Sequence, residues 1–240
     1  MKTTCCPSGS EVLHADSIYA KDAGLLHCGV LPLGKRRTSG LICTIPLLLL
    51  LTGTRLLAQT VILSETFEGF FPAGNGWSVG DANASGVAAY WDDVDSAFGG
   101  EGTYAGSWKG YCAGFGYAGA SANPGYRDHM RAYMSKSINL SSYSTATLSF
   151  WYKIPSIETG VDKLLVYIDD TVIWERASAQ VSWTRVSLSL DRFVGRSRTL
   201  KFEFYSDGSI TAEGAYLDEI LVTASTPCDS GNDTPGGRPC

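Results

Sequence analysis

The run Ala146-Thr147-Leu148-Ser149-Phe150-Trp151-Tyr152-Lys153 alternates without a break. Ala146, Leu148, Phe150 and Tyr152 fall on one parity, Thr147, Ser149, Trp151 and Lys153 on the other. A period of two is the signature of a β-strand with one buried face. The same pattern recurs on both sides. Leu164 to Ile168 and Thr171 to Trp174 flank Asp169-Asp170, a two-residue hairpin turn. Residues 183–190 and 199–205 alternate strictly, and Ala215 to Thr223 forms a further apolar run. Upstream, Val61-Ile62-Leu63-Ser64-Glu65-Thr66-Phe67 opens the series. No window carries a 3.6-residue apolar stripe bounded by caps. Short strands at regular spacing, separated by Gly, Asp, Asn, Ser and Pro, predict an all-β protein: a two-layer antiparallel β-sandwich (jelly roll) over residues 61–223. Its predicted core includes Phe67, Leu148, Phe150, Val166, Val186, Leu188, Phe202, Phe204 and Ile220.

Composition agrees. Of 240 residues, 44% are hydrophobic and 18% charged, so the chain can bury a core. The 27 Gly and 11% aromatic residues, against 3 Met, favour turns and strands over a helical bundle. Charge is divided unevenly. Residues 1–58 carry 6 basic and 3 acidic groups, residues 59–240 carry 13 basic and 21 acidic. An acidic body argues against a nucleic-acid partner and against polybasic attachment to a membrane surface. It leaves room for a divalent cation.

The first sixty residues read as an address. Lys35-Arg36-Arg37, an apolar core of 11 residues from Leu41 to Leu51, and the small Ala58 make residues 35–58 a secretory signal peptide, cleaved after Ala58. That core is too short to span a bilayer comfortably, so no membrane span is expected in the mature chain. Signal peptides begin just before their basic residues. Residues 1–34 therefore read as an over-translated or disordered leader, with translation expected to start at Val30, Leu31 or Leu33 and residues 1–29 over-translated. A secreted or cell-surface location follows. It permits disulfides, and Cys228 and Cys240 bracket a short loop and can pair, or stay reduced, with Cys112 left over. Residues 224–240 are rich in Pro, Gly, Ser and Asp and read as a linker-like tail.

Catalytic chemistry has little footing. His129 is the one histidine after Ala58, and no Gly-x-Ser-x-Gly elbow accompanies it. One His and three scattered Cys lack zinc spacing, and no glycine-rich phosphate loop precedes a helix. Paired carboxylates remain, as in a glycoside hydrolase, but no Glu-x-Asp-x-x-Glu strand motif is present. The reading is a protein that is not an enzyme. A hard-cation site is better motivated. In Tyr216 to Val222, strand parity puts Asp218 on the face of Ile220 and Val222, and buried charges are paired or bind metal. Glu68 is its natural partner if the first and last strands are neighbours. Asp218 can equally accept backbone hydrogen bonds with no ion. Between Gly69 and Asn123 the strand pattern loosens, and long loops are where binding surfaces usually lie. Trp77, Tyr90, Trp91, Trp108 and Tyr111 fall there. They are candidate platforms for a sugar ring, or loop and core packing.

The ordered set Ser64-Glu65-Thr66-Phe67-Glu68-Gly69, Gly76-Trp77-Ser78-Val79-Gly80-Asp81, Tyr90-Trp91-Asp92-Asp93-Val94, Ala105-Gly106-Ser107-Trp108, Ala146 to Tyr152, Ser182-Trp183-Thr184-Arg185-Val186, Phe204-Tyr205-Ser206-Asp207 and Gly214 to Ile220 resembles two families. One is the jelly-roll accessory modules of immune inhibitor A type secreted bacterial proteases. The other is the MAM-like "choice-of-anchor" domains of surface proteins. The resemblance implies a non-catalytic binding or adhesion module with a structural calcium ion. Carried over, that ion falls to Glu68 and Asp218, with Asp81 and Asp92 in matching loops. Glu219 stands where the family has a second Asp. The resemblance also places Trp183 in the core. The implied partners are an extracellular polysaccharide, a protein surface or a neighbouring domain. The alternatives are a structural domain cut off from a larger secreted protease, or the carboxylate-dependent hydrolase.

Overall fold

The computed structural model describes residues 59–83, 89–114 and 124–226. The segments expected to be a leader and a signal peptide, and Cys228 and Cys240, lie outside the described residues. Among the described residues, eleven strands form two antiparallel sheets: β1 Thr60–Glu65, β2 Ser78–Asp81, β3 Asp92–Asp95, β4 Trp108–Tyr111, β5 Arg131–Asn139, β6 Thr145–Ser156, β7 Lys163–Ile168, β8 Thr171–Arg176, β9 Gln180–Ser189, β10 Ser197–Tyr205 and β11 Gly214–Ser225. One sheet has five strands in the order β2-β5-β10-β7-β8. The other has six, in the order β3-β4-β11-β6-β9, with β1 also on β11. The architecture is the expected β-sandwich.

Alternation places the core. Ala146, Leu148, Phe150, Tyr152 and Ile154 of β6 face Leu164, Val166 and Ile168 of β7 and Leu200, Phe202 and Phe204 of β10, all buried. Phe150 of one sheet meets Phe202 of the other edge-on, ring centres 5.2 Å apart. Such pairs add about 0.5–1.5 kcal/mol beyond area burial. Phe67 and Ile220 are buried as expected. Trp183, Val186 and Leu188 are only partly buried against the core. They lie on β9, the outermost strand of its sheet, where no further strand screens them. The Asp169-Asp170 turn is also observed: Ile168 pairs with Thr171, and Asp169 takes φ 53°.

β11 organises the larger sheet. β6 runs along one edge of it. The opposite edge is shared by β1, paired from Ile220 to Ala224, and β4, paired at Tyr216 and Leu217. The first and last strands are therefore neighbours. The face of Asp218 departs from strand parity. A bulge between Asp218 and Leu221, with Glu219 at φ 48°, slips the register by one residue. Asp218 pairs beside Trp151 on the outer face, while Val222 pairs with Leu148 on the core face.

That outer face carries a second, smaller core. The segment between β3 and β4 folds over it, so Phe98, Tyr111 and Tyr216 pack together with centroids 5.0 to 6.4 Å apart. Lys109 is fully buried there. Its Nζ donates to the Asp95 and Phe98 carbonyls at 2.8 and 3.2 Å and sits 5.2 Å from the Tyr216 ring centre. Burial lowers its pKa to about 8.

Candidate functional site

The expected cation ligands are all engaged with backbone. Glu68 follows β1, and its Oε1 accepts from Ser107 N at 2.7 Å and Trp108 N at 2.8 Å. Asp218 Oδ2 accepts from Tyr104 N at 2.9 Å and Ala105 N at 3.1 Å, and its Oδ1 from Glu219 N at 2.8 Å. Two carboxylates thus fasten the two ends of one loop, residues 104–108, over the larger sheet. Asp218 is wholly buried, and that desolvation pushes its pKa up to about 6 against the pull of the amides. Asp81 does a different job: its Oδ1 accepts from Asn83 N and Arg131 N, tying β2 to the start of β5. Asp92 Oδ1 accepts from Asp93 N at 3.0 Å. Burial, then the hydrogen bond and charge of Asp92, raise Asp93 to about 6.

A third carboxylate group escaped the sequence reading. Oxygens of Glu158, Asp162 and Asp207 lie within 4.8 Å of one another. Tyr126 Oη donates to Asp162 Oδ2 at 2.5 Å and Asp207 N to Oδ1 at 3.0 Å. Burial raises the pKa of Asp162. Glu158 and Asp162 share the loop between β6 and β7, but Asp207 follows β10, so no local motif announces all three.

Three of the five aromatic candidates are buried, so their rings offer no face to a ligand. Trp77 donates Nε1 to Glu65 Oε2 at 2.7 Å and packs against Phe71 and Phe202. Trp91 donates Nε1 to the Ala132 carbonyl, and Tyr111 stacks on Tyr216. Tyr90 and Trp108 are half-buried. The loops that hold these rings fold back onto the sheets, which is why loop position did not translate into exposure.

The outer face of the five-stranded sheet is different. It is built from the polar parity of β5, β10 and β7, the strands whose other parity makes the core. Glu203 sits at its centre, opposite Tyr133 on β5 and Leu165 on β7. Lys201 lies between Ser135 and Tyr167, and Tyr205 between Arg131 and Lys163. Arg131 donates Nε and Nη2 to Glu203 Oε1 at 3.1 and 2.9 Å, and Lys201 Nζ donates to Oε2 at 2.8 Å. Glu203 is only 2% exposed, so two cations share one buried anion and the triad keeps a net charge of +1. Lys201 Nζ also lies 4.0 Å from the centre of the Tyr167 ring. Tyr133, Tyr167 and Tyr205 are each half-buried around this triad. Two adjoining grooves of about 400 and 570 Å³ share Arg131 and Glu203 as lining. One runs toward the Asp169-Asp170 hairpin, the other toward Val161 and Asp207.

Half of this face was visible in the sequence, because β10 alternates strictly. β5 was not, because Lys136 occupies an inward parity in Arg131–Asn139. It is accommodated by donating to the Asn75 carbonyl and lying 6.0 Å from the Trp77 ring centre.

No protein-family model matches the sequence, and no curated protein matches it. Among solved structures, the chain is similar to the K1 cleaved adhesin domain of Lys-gingipain from Porphyromonas gingivalis W83, at 20% identity and TM-score 0.48, covering 69% of this chain and 99% of that one. It is also similar to the CBM22-1 xylan-binding domain of Paenibacillus barcinonensis Xyn10C, at 15% identity and TM-score 0.41, covering 72% and 99%. A third is TmCBM61 in complex with β-1,4-galactotriose, at 9% identity and TM-score 0.41, covering 62% and 89%.

Proposed function

We propose that the chain is a secreted, non-catalytic module that binds an extracellular polysaccharide on the outer face of its five-stranded sheet. One observation carries this: three half-buried tyrosines surround the ion-paired Arg131–Glu203–Lys201 triad across two adjoining open grooves. Aromatic rings offer stacking area for the C–H faces of sugars, and fixed polar groups between them orient hydroxyls. The resemblance to accessory modules of secreted bacterial proteases supports the same role and location. The test is native electrophoresis of the full chain through gels containing soluble polysaccharides. Retardation by at least one, relieved by Tyr205→Ala and Tyr167→Ala and without release of reducing ends, is the expected result. Unretarded migration in every gel overturns the proposal.

A calcium ion held by Glu68 and Asp218 is the second element of this reading. Both carboxylates converge on one loop, and a divalent cation would remove the cost of the buried Asp218 charge. A cation that binds only the folded chain stabilises it by about 2.7 kcal/mol at a hundred times its dissociation constant. Thermal melts in chelator and in millimolar calcium should separate for the wild type and coincide for Asp218→Asn. Superimposed wild-type curves leave Asp218 as a hydrogen-bond acceptor for the loop.

A further inference from the structure

The groove contains a glycine that its backbone does not require. Gly80 lies in the middle of β2, directly opposite Tyr133 of β5. Its φ is outside the positive range in which glycine is favoured, whereas eight other glycines of the described residues occupy that range. A glycine in a strand interior weakens it, and often marks a close approach by another group. Here the approaching group is identifiable. A Cβ on residue 80 would fall 2.7 Å from Tyr133 Oη, 2.9 Å from Cζ and 3.1 Å from Cε1. The tyrosine therefore lies down across the bare backbone of β2 rather than standing off the sheet. Ser78 and Ser135, the next pair along this face, keep the surroundings low.

From this geometry we infer that Tyr133, laid on Gly80, is the stacking subsite for an uncharged pyranose unit. The inference rests on the polysaccharide reading above and deepens it. A ring lying along the sheet presents a flat face, which matches the C–H face of a pyranose in the way aromatic faces match apolar surfaces. The charge of the groove sets the class. Arg131 and Lys201 are both committed to Glu203. Asp169 and Asp170 close the Tyr133 end of the face with acidic groups. The charged groups lining that groove, Arg131, Lys201, Glu203, Asp169 and Asp170, sum to −1, and Asp169 is paired with Arg198, so a polyuronate or sulfated chain gains no net attraction there. A neutral chain needs only the ring and the hydrogen-bonding edges of Ser135 and Thr199. Gly80 acts as a positioning residue through Tyr133.

The experiment uses the full chain in affinity electrophoresis against hydroxyethylcellulose, arabinoxylan, galactomannan and polygalacturonate. Retardation by at least one of the three neutral polymers is expected, unchanged between roughly 0.01 M and 1 M salt. Tyr133→Phe keeps the ring and should bind as the wild type. Tyr133→Ala and Gly80→Ala should each weaken binding about tenfold, corresponding to about 1.4 kcal/mol. Adding Gly80→Ala to Tyr133→Ala should change nothing further, an outcome that simple loss of folding would not give. Retardation that survives Tyr133→Ala, or that occurs only with polygalacturonate and disappears with salt, overturns this inference while leaving polysaccharide binding intact. No retardation by any polymer overturns both.

Discussion

Replacing Glu65 by glutamine keeps the size of the side chain and removes only its charge and one acceptor. Glu65 is completely buried and receives four hydrogen bonds. Oε1 accepts from Phe67 N at 2.8 Å and Asn75 Nδ2 at 3.1 Å, Oε2 from Trp77 Nε1 at 2.7 Å and Asn75 Nδ2 at 2.9 Å. Glutamine has one acceptor oxygen and one donor nitrogen. Whichever way its amide is turned, the nitrogen faces either the Phe67 N–H or the Trp77 indole N–H. Asn75 can rotate its own amide to accept, but the other two donors cannot. A charge-assisted hydrogen bond is worth about 1.5–3 kcal/mol, and a buried donor left unmatched costs about 1–3 kcal/mol. With Asn75 compensating in part, Glu65→Gln should destabilise the sandwich by about 2–4 kcal/mol. Urea unfolding at neutral pH, followed by far-UV circular dichroism, measures the loss. Trp77→Phe removes the indole donor, so Glu65→Gln should cost less on that background, with a coupling of about 1 kcal/mol or more. A wild-type-like denaturation midpoint for Glu65→Gln, within about 0.5 kcal/mol, refutes the account of Glu65 as the tie between β1 and the segment leading to β2.

The remaining predictions concern pH. Lys109 has a folded pKa of about 8 against 10.5 in the unfolded chain, so between those values the unfolded state holds more protons and folding gains stability as pH rises. Lys109→Met should abolish that gain, read as a rise in the wild-type melting temperature relative to that of the variant from pH 8 to 10. Asp218 works in the opposite direction. Its folded pKa of about 6 exceeds the ordinary 3.8, so in chelator its contribution to stability is lost as pH rises through that window. Calcium competes with the proton there, so the separation between melts with calcium and with chelator should widen as pH climbs past about 6.

Much of the fold could be read because most strands alternate cleanly, from β6 through β11. The failures have local physical causes. At Glu219 one extra residue in β11 turned Asp218 from the core face to the outer face, and a period of two cannot register such a slip. At Lys136 a charged side chain on inward parity hid β5, because its charge is met by a loop carbonyl distant in sequence. Trp77, Trp91 and Tyr111 sit in glycine-rich stretches that look solvent-facing but are pulled inward by polar partners: Glu65, the Ala132 carbonyl and the Glu213 carbonyl. The tyrosine face was illegible for a different reason. Tyr133, Tyr167 and Tyr205 stand on three separate strands, and only their pairing through β10 brings them around Glu203.

The position of β11 bears on how the chain can assemble. A ribosome delivers residues in order, and the strand that belongs between β6 and the β1–β4 edge emerges after all of them. Until Gly214–Ser225 arrives, β1, β4 and β6 have unsatisfied backbone on the sides they will later share, and β1 lacks the strand it pairs with. Insertion of one long ribbon into a waiting gap involves contacts of very large sequence separation, which slows folding and leaves adhesive edges open meanwhile. A nascent chain of this topology stays incompletely folded until Gly214–Ser225 is synthesised.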